Sequence, residues 1–192
     1  MENHPQPVQS LESARRFSEN PRGIQERCRS RVQHGGRDLR SGAPGRRGRK
    51  GGAQNQCIGR SRGGLTTKIH ALVDGLGNPL HVHLTPGNVH DVCEAAKLIE
   101  QAHGKNFIAD KGYDANHVIE AVQKKNMTAV IPSTANRKTR REIDVHMYKE
   151  RHLVENFFCK IKRYRRVATR YEKTATNYLG FVLFASLRMW LA

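Results

Sequence analysis

The chain is 192 residues long with a mass of 21.7 kDa, the size of one domain with room for an extension. A formal charge of +17 and an isoelectric point near 10.3 point to a polyanionic partner, nucleic acid first, and the scatter of basic residues over loops and helix ends argues against an acidic membrane surface. Cys28, Cys57, Cys93 and Cys159 show no C-x-x-C and no paired spacing with histidine, which excludes a zinc site or disulfide framework and fits a reducing compartment.

The opening MENHPQPVQS has neither the basic start nor the apolar run of an export signal, so a cytoplasmic location is expected. Up to about residue 63 the chain is rich in Arg, Ser, Gly, Gln and Pro, with Phe17 as its one aromatic residue and no apolar period. Such a segment cannot bury a core. The run GRRGRKGG, residues 45–52, reads as a disordered nucleic-acid-binding arm. A second reading is open, because the region before Lys50 has many arginines and no lysine, as GC-rich DNA translated out of frame would give. Residues 1–58 are therefore assigned to a disordered or out-of-frame Arg-rich segment, and residues 59–192 to the folded domain.

From residue 64 the pattern becomes that of a domain. LTTKIHALV (65–73) and PLHVHLT (79–85) alternate apolar and polar residues about DGLGN, which predicts a hairpin. Residues 88–102 have helical spacing with Asn88 as N-cap, KNFIAD (105–110) is a short buried strand, and residues 114–126 are a helix capped by Asp114. TAVIPS (128–133) is another strand. A basic loop, TANRKTRREID, leads into a helix over 148–166, and a last apolar helix runs from about Thr174 to Leu191. Its apolar stretch is too short for a bilayer, so it is expected to pack on the core. The order predicts an α/β fold, a mixed sheet with helices on its faces.

Asp110 ends a buried strand, where α/β sheets open into ligand crevices. It reads as a turn-former or as a metal ligand. In the helix that follows the basic loop, about 100° per residue brings Tyr148, Arg151, Glu155 and Lys162 within about 60° of one another, while Leu153, Val154, Phe157, Phe158 and Ile161 centre roughly 110° away. The stripe is either a solvated face with an i,i+4 Arg–Glu pair or a functional one. A carboxylate at a strand end and another on a helix over the sheet could share hard divalent cations, the layout of two-metal phosphoryl transfer.

Tyr148, Arg151, Glu155 and Lys162 reproduce the Y-(2)-R-(3)-E-(6)-K signature, and in this the chain resembles the DDE transposases of bacterial insertion sequences. GRSRGGLTTKIHALVDGLGNPLHVHLTPGNVHD, IADKGYDA and RRVATRYEKTA look like blocks of the same group, and the likeness runs from about Gly59 to the C-terminus. The resemblance implies a ribonuclease-H-like fold, two Mg²⁺ (or Mn²⁺) ions, and cleavage and transfer of DNA strands at element ends. Asp110 matches the family's second aspartate and Glu155 its glutamate, so both are expected catalytic and metal-binding residues. Arg151 and Lys162 would hold phosphate, with Tyr148 orienting the stripe. The expected partners are double-stranded DNA, as transposon ends and target, and further copies of the chain assembled on it, with no membrane and no small-molecule substrate. The expected location is the bacterial cytoplasm, on the nucleoid.

The family also carries an aspartate on a first strand upstream of the GRSRGG block. Before residue 63 the only aspartate is Asp38, in HGGRDLRSG, and Asp74 belongs by pattern to the hairpin turn. The first strand and its carboxylate are therefore expected to be missing, and this copy to be inactive alone.

Beside the stripe, Arg137, Lys138, Arg140 and Arg141 form a charged loop and Arg163, Arg165 and Arg166 extend the helix; all are read as DNA backbone contacts. Solvated surface is the bland alternative. His70, His81 and His83 are taken as polar surface or DNA contacts, since no Cys or acid beside them completes a metal site. His90 and Asp91 are read as helix-capping, and Cys159 as a small apolar residue.

Overall fold

The computed structural model describes residues 25–34, by their backbone, and residues 52–61 and 64–191. Six strands make one sheet: β1 (Gln25–His34), β2 (Gly59–Ser61), β3 (Gly64–Val73), β4 (Pro79–Pro86), β5 (Asn106–Ala109) and β6 (Thr128–Val130). Along the sheet the order is β2-β3-β1-β5-β6, with β4 also paired to β3. β3 runs antiparallel to β1, β2 and β4, whereas β1, β5 and β6 are mutually parallel neighbours.

The hairpin forms where its turn residues allow. Asp74 Oδ1 accepts from the backbone N–H of Leu76 and of Asn78, each at 2.8 Å, and Gly77 adopts φ +88°, a conformation open to glycine. Asp74 is thus consumed by the turn. At the far end of β4 the chain passes so close to Thr66 that a Cβ on Gly87 would collide with its hydroxyl.

Alternation then divides β3 between two cores. Ile69, Ala71 and Val73 join Val82, Val154, Phe157, Phe158, Ile161, Tyr178 and Val182, while Leu72 joins Leu98, Phe107, Ala109, Val118, Val122 and Ile131. The first core is closed by helices α5 (His152–Ile161) and α7 (Ala175–Trp190), the second by α2 (Asp91–Gln101) and α3 (Asn116–Lys124). Short helices α1 (Gly52–Asn55), α4 (Val145–Lys149) and α6 (Arg165–Ala168) connect these layers. No helix among the described residues is long and apolar enough to cross a membrane.

Several expectations are corrected. The first strand is present in backbone over residues 25–34, although its sequence has no apolar pattern. Backbone pairing places it, since its peptide N–H and C=O groups meet those of β3 on one side and β5 on the other. The rest of the first segment, residues 1–24 and 35–51, lies outside the described residues. α2 begins three residues beyond Asn88: His90 takes the N-cap position without a side-chain cap bond, and Asp91 instead accepts from Lys68 Nζ at 2.8 Å. Ala115, not Asp114, occupies the N-cap of α3. The helix predicted over 148–166 is three helices, because a turn at Glu150 and Arg151 tightens to i,i+3 hydrogen bonds and the chain turns again after Lys162. Cys159 is exposed, one position beyond the apolar band. His70 is fully buried and its ring stacks on His83 at 4.7 Å, so it is core and not surface.

Candidate nucleic-acid and metal site

Asp110 follows the last residue of β5 and begins a tight 3-10 turn, Lys111–Tyr113, in which its Oδ1 accepts from the Lys111 N–H at 2.7 Å. The turn role expected of it is therefore real, and it leaves the half-exposed carboxylate at the sheet's carboxyl edge. α5 lies over β1 and β3 with Val154, Phe157, Phe158 and Ile161 fully buried, which leaves Glu155 half-buried at the margin of that apolar face.

Arg151 bonds one of the two acids and lies in the field of the other. Its Nη1 donates to Glu155 Oε1 at 2.6 Å, and its guanidinium carbon sits 5.6 Å from the centre of the Tyr148 ring. Burial of the guanidinium opposes its charge, but the hydrogen bond to Glu155 and the fields of Tyr148, Glu155 and Asp110 prevail and raise its pKa above the ordinary arginine value. One cation thus feels both candidate carboxylates. Tyr148, Arg151 and Glu155 stay together across the break between α4 and α5 because Glu150 and Arg151 both keep right-handed helical dihedrals. Lys162 is the C-cap of α5, half-buried at its end.

The basic loop is held differently from the expectation. Asp114, whose side chain is fully covered, accepts from the Thr134 N–H at 2.6 Å, from Arg137 Nη1 at 2.6 Å, and from Arg141 Nη2. Arg137 Nη2 also donates to Asn116 Oδ1, and the Arg141 N–H to Ser133 Oγ at 2.9 Å. Burial alone would push the Asp114 carboxyl up; the Thr134 N–H and the Arg141 guanidinium hold it below the usual carboxylate range. Arg137 and Arg141 are therefore anchored, while Lys138 and Arg140 stand exposed between them. Beyond α5, Arg163 is exposed, Arg165 Nε donates to Tyr171 Oη at 3.0 Å, and Arg166 Nη1 donates to Glu172 Oε1 at 2.9 Å.

Asp114 is the residue that sequence reasoning missed. A lone aspartate before a helix reads as a cap, and the arginines that claim it stand 23 and 27 residues further on, a separation no local period reports. Neither is a third carboxylate found: among the described residues no group of three or more His, Cys, Asp or Glu side chains is placed to hold a metal ion. The register pairs Cys28 with Ala109, so β1 passes beside Asp110 at Cys28 and Arg29; its single acid, Glu26, is opposite Phe107.

A family model described as the transposase DDE domain matches residues 29–190. Over 130 residues the chain is 45% identical to a protein named as a transposase for insertion sequence element IS6501 of Brucella ovis, covering 66% of this chain and 99% of that one. A protein named as a transposase for element IS402 of Burkholderia cepacia is 29% identical over 128 residues, 60% of this chain and 58% of that relative's length. The family model spans most of the chain and the Brucella relative is covered almost whole, and on that ground the chain belongs to the DDE transposase family.

Proposed function

We propose that this chain is the catalytic portion of a transposase that cuts and joins DNA at insertion-sequence ends, with divalent cations held between Asp110 and Glu155. The observation that carries this reading is Arg151, which binds Glu155 directly and lies in the field of Asp110. The strand arrangement supports a ribonuclease-H-like fold, with β3 reversed relative to β1 and β1 lying between it and β5. The donors are carboxylate oxygens, the kind that suits Mg²⁺ or Mn²⁺. Such ions neutralise charge developing on the attacking and leaving oxygens of a phosphodiester.

The chain's own residues supply position and charge. Arg151, with its planar fork, and Lys162 are suited to phosphate, and the exposed Lys138, Arg140 and Arg163 extend a path for duplex DNA. Holding the phosphodiester in line is worth more than any single contact. The donor set falls short in number, since β1 offers Cys28 and Arg29 beside Asp110 where a third carboxylate would complete the site. That shortfall favours a second reading, a DNA-binding remnant that keeps the basic face without efficient strand transfer. Out-of-frame translation of the first segment would account for it. The full assembly would be copies of the chain on duplex DNA, in the bacterial cytoplasm at the nucleoid.

Titration with Mn²⁺, comparing the parent with Asp110→Asn and Glu155→Gln, tests the metal assignment. Each variant is expected to weaken binding at least about tenfold, by analogy with the cost of disturbing metal-site residues. Unchanged affinity in both variants would overturn the assignment. Transfer of a labelled element end into plasmid DNA then separates the transposase from the remnant.

A further inference from the structure

Asp114 lies within the IADKGYDA block but outside the Y-(2)-R-(3)-E-(6)-K signature, and it organises an ionic cluster four residues beyond Asp110 in the chain. Its covered carboxylate holds Arg137, Arg141 and the Thr134 N–H together, and Asn116 takes a second N–H of Arg137. Through these bonds the chain just after Asp110 is tied to the loop that leads into α4 and α5. We propose that Asp114 is a positioning residue for DNA: it pins the loop of residues 133–141 so that Arg137 and Arg141, with Lys138 and Arg140, face the DNA backbone at a fixed place beside the cleavage site. This rests on the DNA-processing reading above.

The chemistry explains how an acid can strengthen binding to a polyanion. A guanidinium has five N–H donors, and the bonds of Arg137 and Arg141 to Asp114 and Asn116 occupy only part of that fork. The side chains of Arg137 and Arg141 remain 22% and 26% accessible, enough for an outer edge to meet phosphate. A long flexible side chain loses rotamer freedom when it binds, and Asp114 has already removed that freedom from two of them. The exposed Lys138 and Arg140 lie on the same short stretch of backbone, whose ends are fixed by Thr134 N–H to Asp114 and by Arg141 N–H to Ser133 Oγ.

Charge alone and positioning predict opposite signs. Asp114→Asn adds one positive charge to the face, so if only charge mattered DNA would bind more tightly. Positioning predicts weaker binding. The probe is a 20-base-pair duplex of arbitrary sequence, titrated with the full chain over a series of salt concentrations. Once Arg137 and Arg141 no longer meet phosphate, the slope of log affinity against log salt should become shallower by about 1.8, at about 0.9 for each phosphate released. Asp114→Glu should recover part of the slope. Glu142→Gln, which removes an acid next to the same loop, should leave affinity equal or slightly higher. Asn116→Ala, at the start of α3, releases one anchor of Arg137 without changing charge and should give a smaller loss in the same direction even if Asp114→Asn folds poorly. Equal or tighter binding by both Asp114→Asn and Asn116→Ala overturns the proposal. If the parent chain itself shows no salt-dependent binding, the DNA reading fails instead, and the two failures are distinguishable.

Discussion

Arg151 Nη1 donates to Glu155 Oε1 at 2.6 Å across one turn, and the side chains of the two residues are 25% and 37% accessible. A pair so open to water contributes at most about 0.5 kcal/mol to folding. Arg151→Gln should therefore leave the melting temperature within about 2 °C of the parent, while it lowers the DNA salt slope by about one phosphate. Thermal unfolding and salt-dependent duplex binding, run side by side, check both halves. A large loss of stability would show that the pair is structural and not poised for substrate.

Arg163 tests the basic path away from the stripe. It is exposed just past the end of α5, so its replacement disturbs no core. Arg163→Gln is expected to weaken binding to duplexes of different sequence by the same factor and to lower the salt slope by about 0.9. Sequence-dependent weakening would mean base contact, contrary to a backbone role.

The buried histidines should make the fold sensitive to acid. Burial, reinforced by the neighbouring His83, lowers the pKa of His70 from 6.5 to about 4, and burial also lowers that of His83. Nearby Asp91 and Glu94 pull the other way and Lys68 adds to the lowering. The unfolded chain therefore takes up protons near pH 6.5 that the folded chain refuses, so stability is complete above pH 6.5 and falls as pH drops toward 4. Over pH 6.5 to 4.5 the loss should reach about 2–3 kcal/mol, roughly 5–10 °C in melting temperature. Glu94 does not enter this window: Lys97 outweighs its burial and holds its carboxyl below the usual range, so its contribution is lost only at lower pH. Melting curves at half-unit pH steps, with His70→Gln expected to flatten the dependence, are the measurement.

Lys125 closes the end of α2. Its Nζ donates to the carbonyls of Ile99, Glu100 and Ala102 at 3.0, 2.8 and 2.6 Å, so it gathers the carbonyl oxygens at the helix's C-terminal end, of which that of Ile99 also accepts from the Ala102 N–H. Lys125→Met should cost about 1 kcal/mol, or about 2–4 °C, and the adjacent exposed Lys124→Met much less. Equal effects of the two substitutions would mean that general charge and not the cap is responsible.

The hairpin and the apolar face of α5 were legible because each follows a period of two or about 3.6 residues within one segment, whereas the burial of both faces of β3 was not. The neighbourhood of Tyr148, Arg151 and Glu155 was legible for the same reason, even though the helix carrying it is broken at Arg151. What escaped was long-range. Asp114 looked like a cap because its arginines are far along the chain, and His70 looked like surface because alternation gives a residue's face but not what covers it. β1 escaped for another reason: its side chains carry no strand signal, and it is recruited by backbone groups of β3 and β5.

β1 is also the strand through which the two halves of the sheet meet. On one side lie β3 and β4 with α5 and its glutamate; on the other lie β5 and β6 with Asp110 at the tip. Main-chain hydrogen bonds of residues 25–34 thus join the half that ends at Asp110 to the half on which α5 packs. A single proline at a paired residue there would break the ladder and let the halves drift, loosening a site to which that strand contributes no acid beside Asp110.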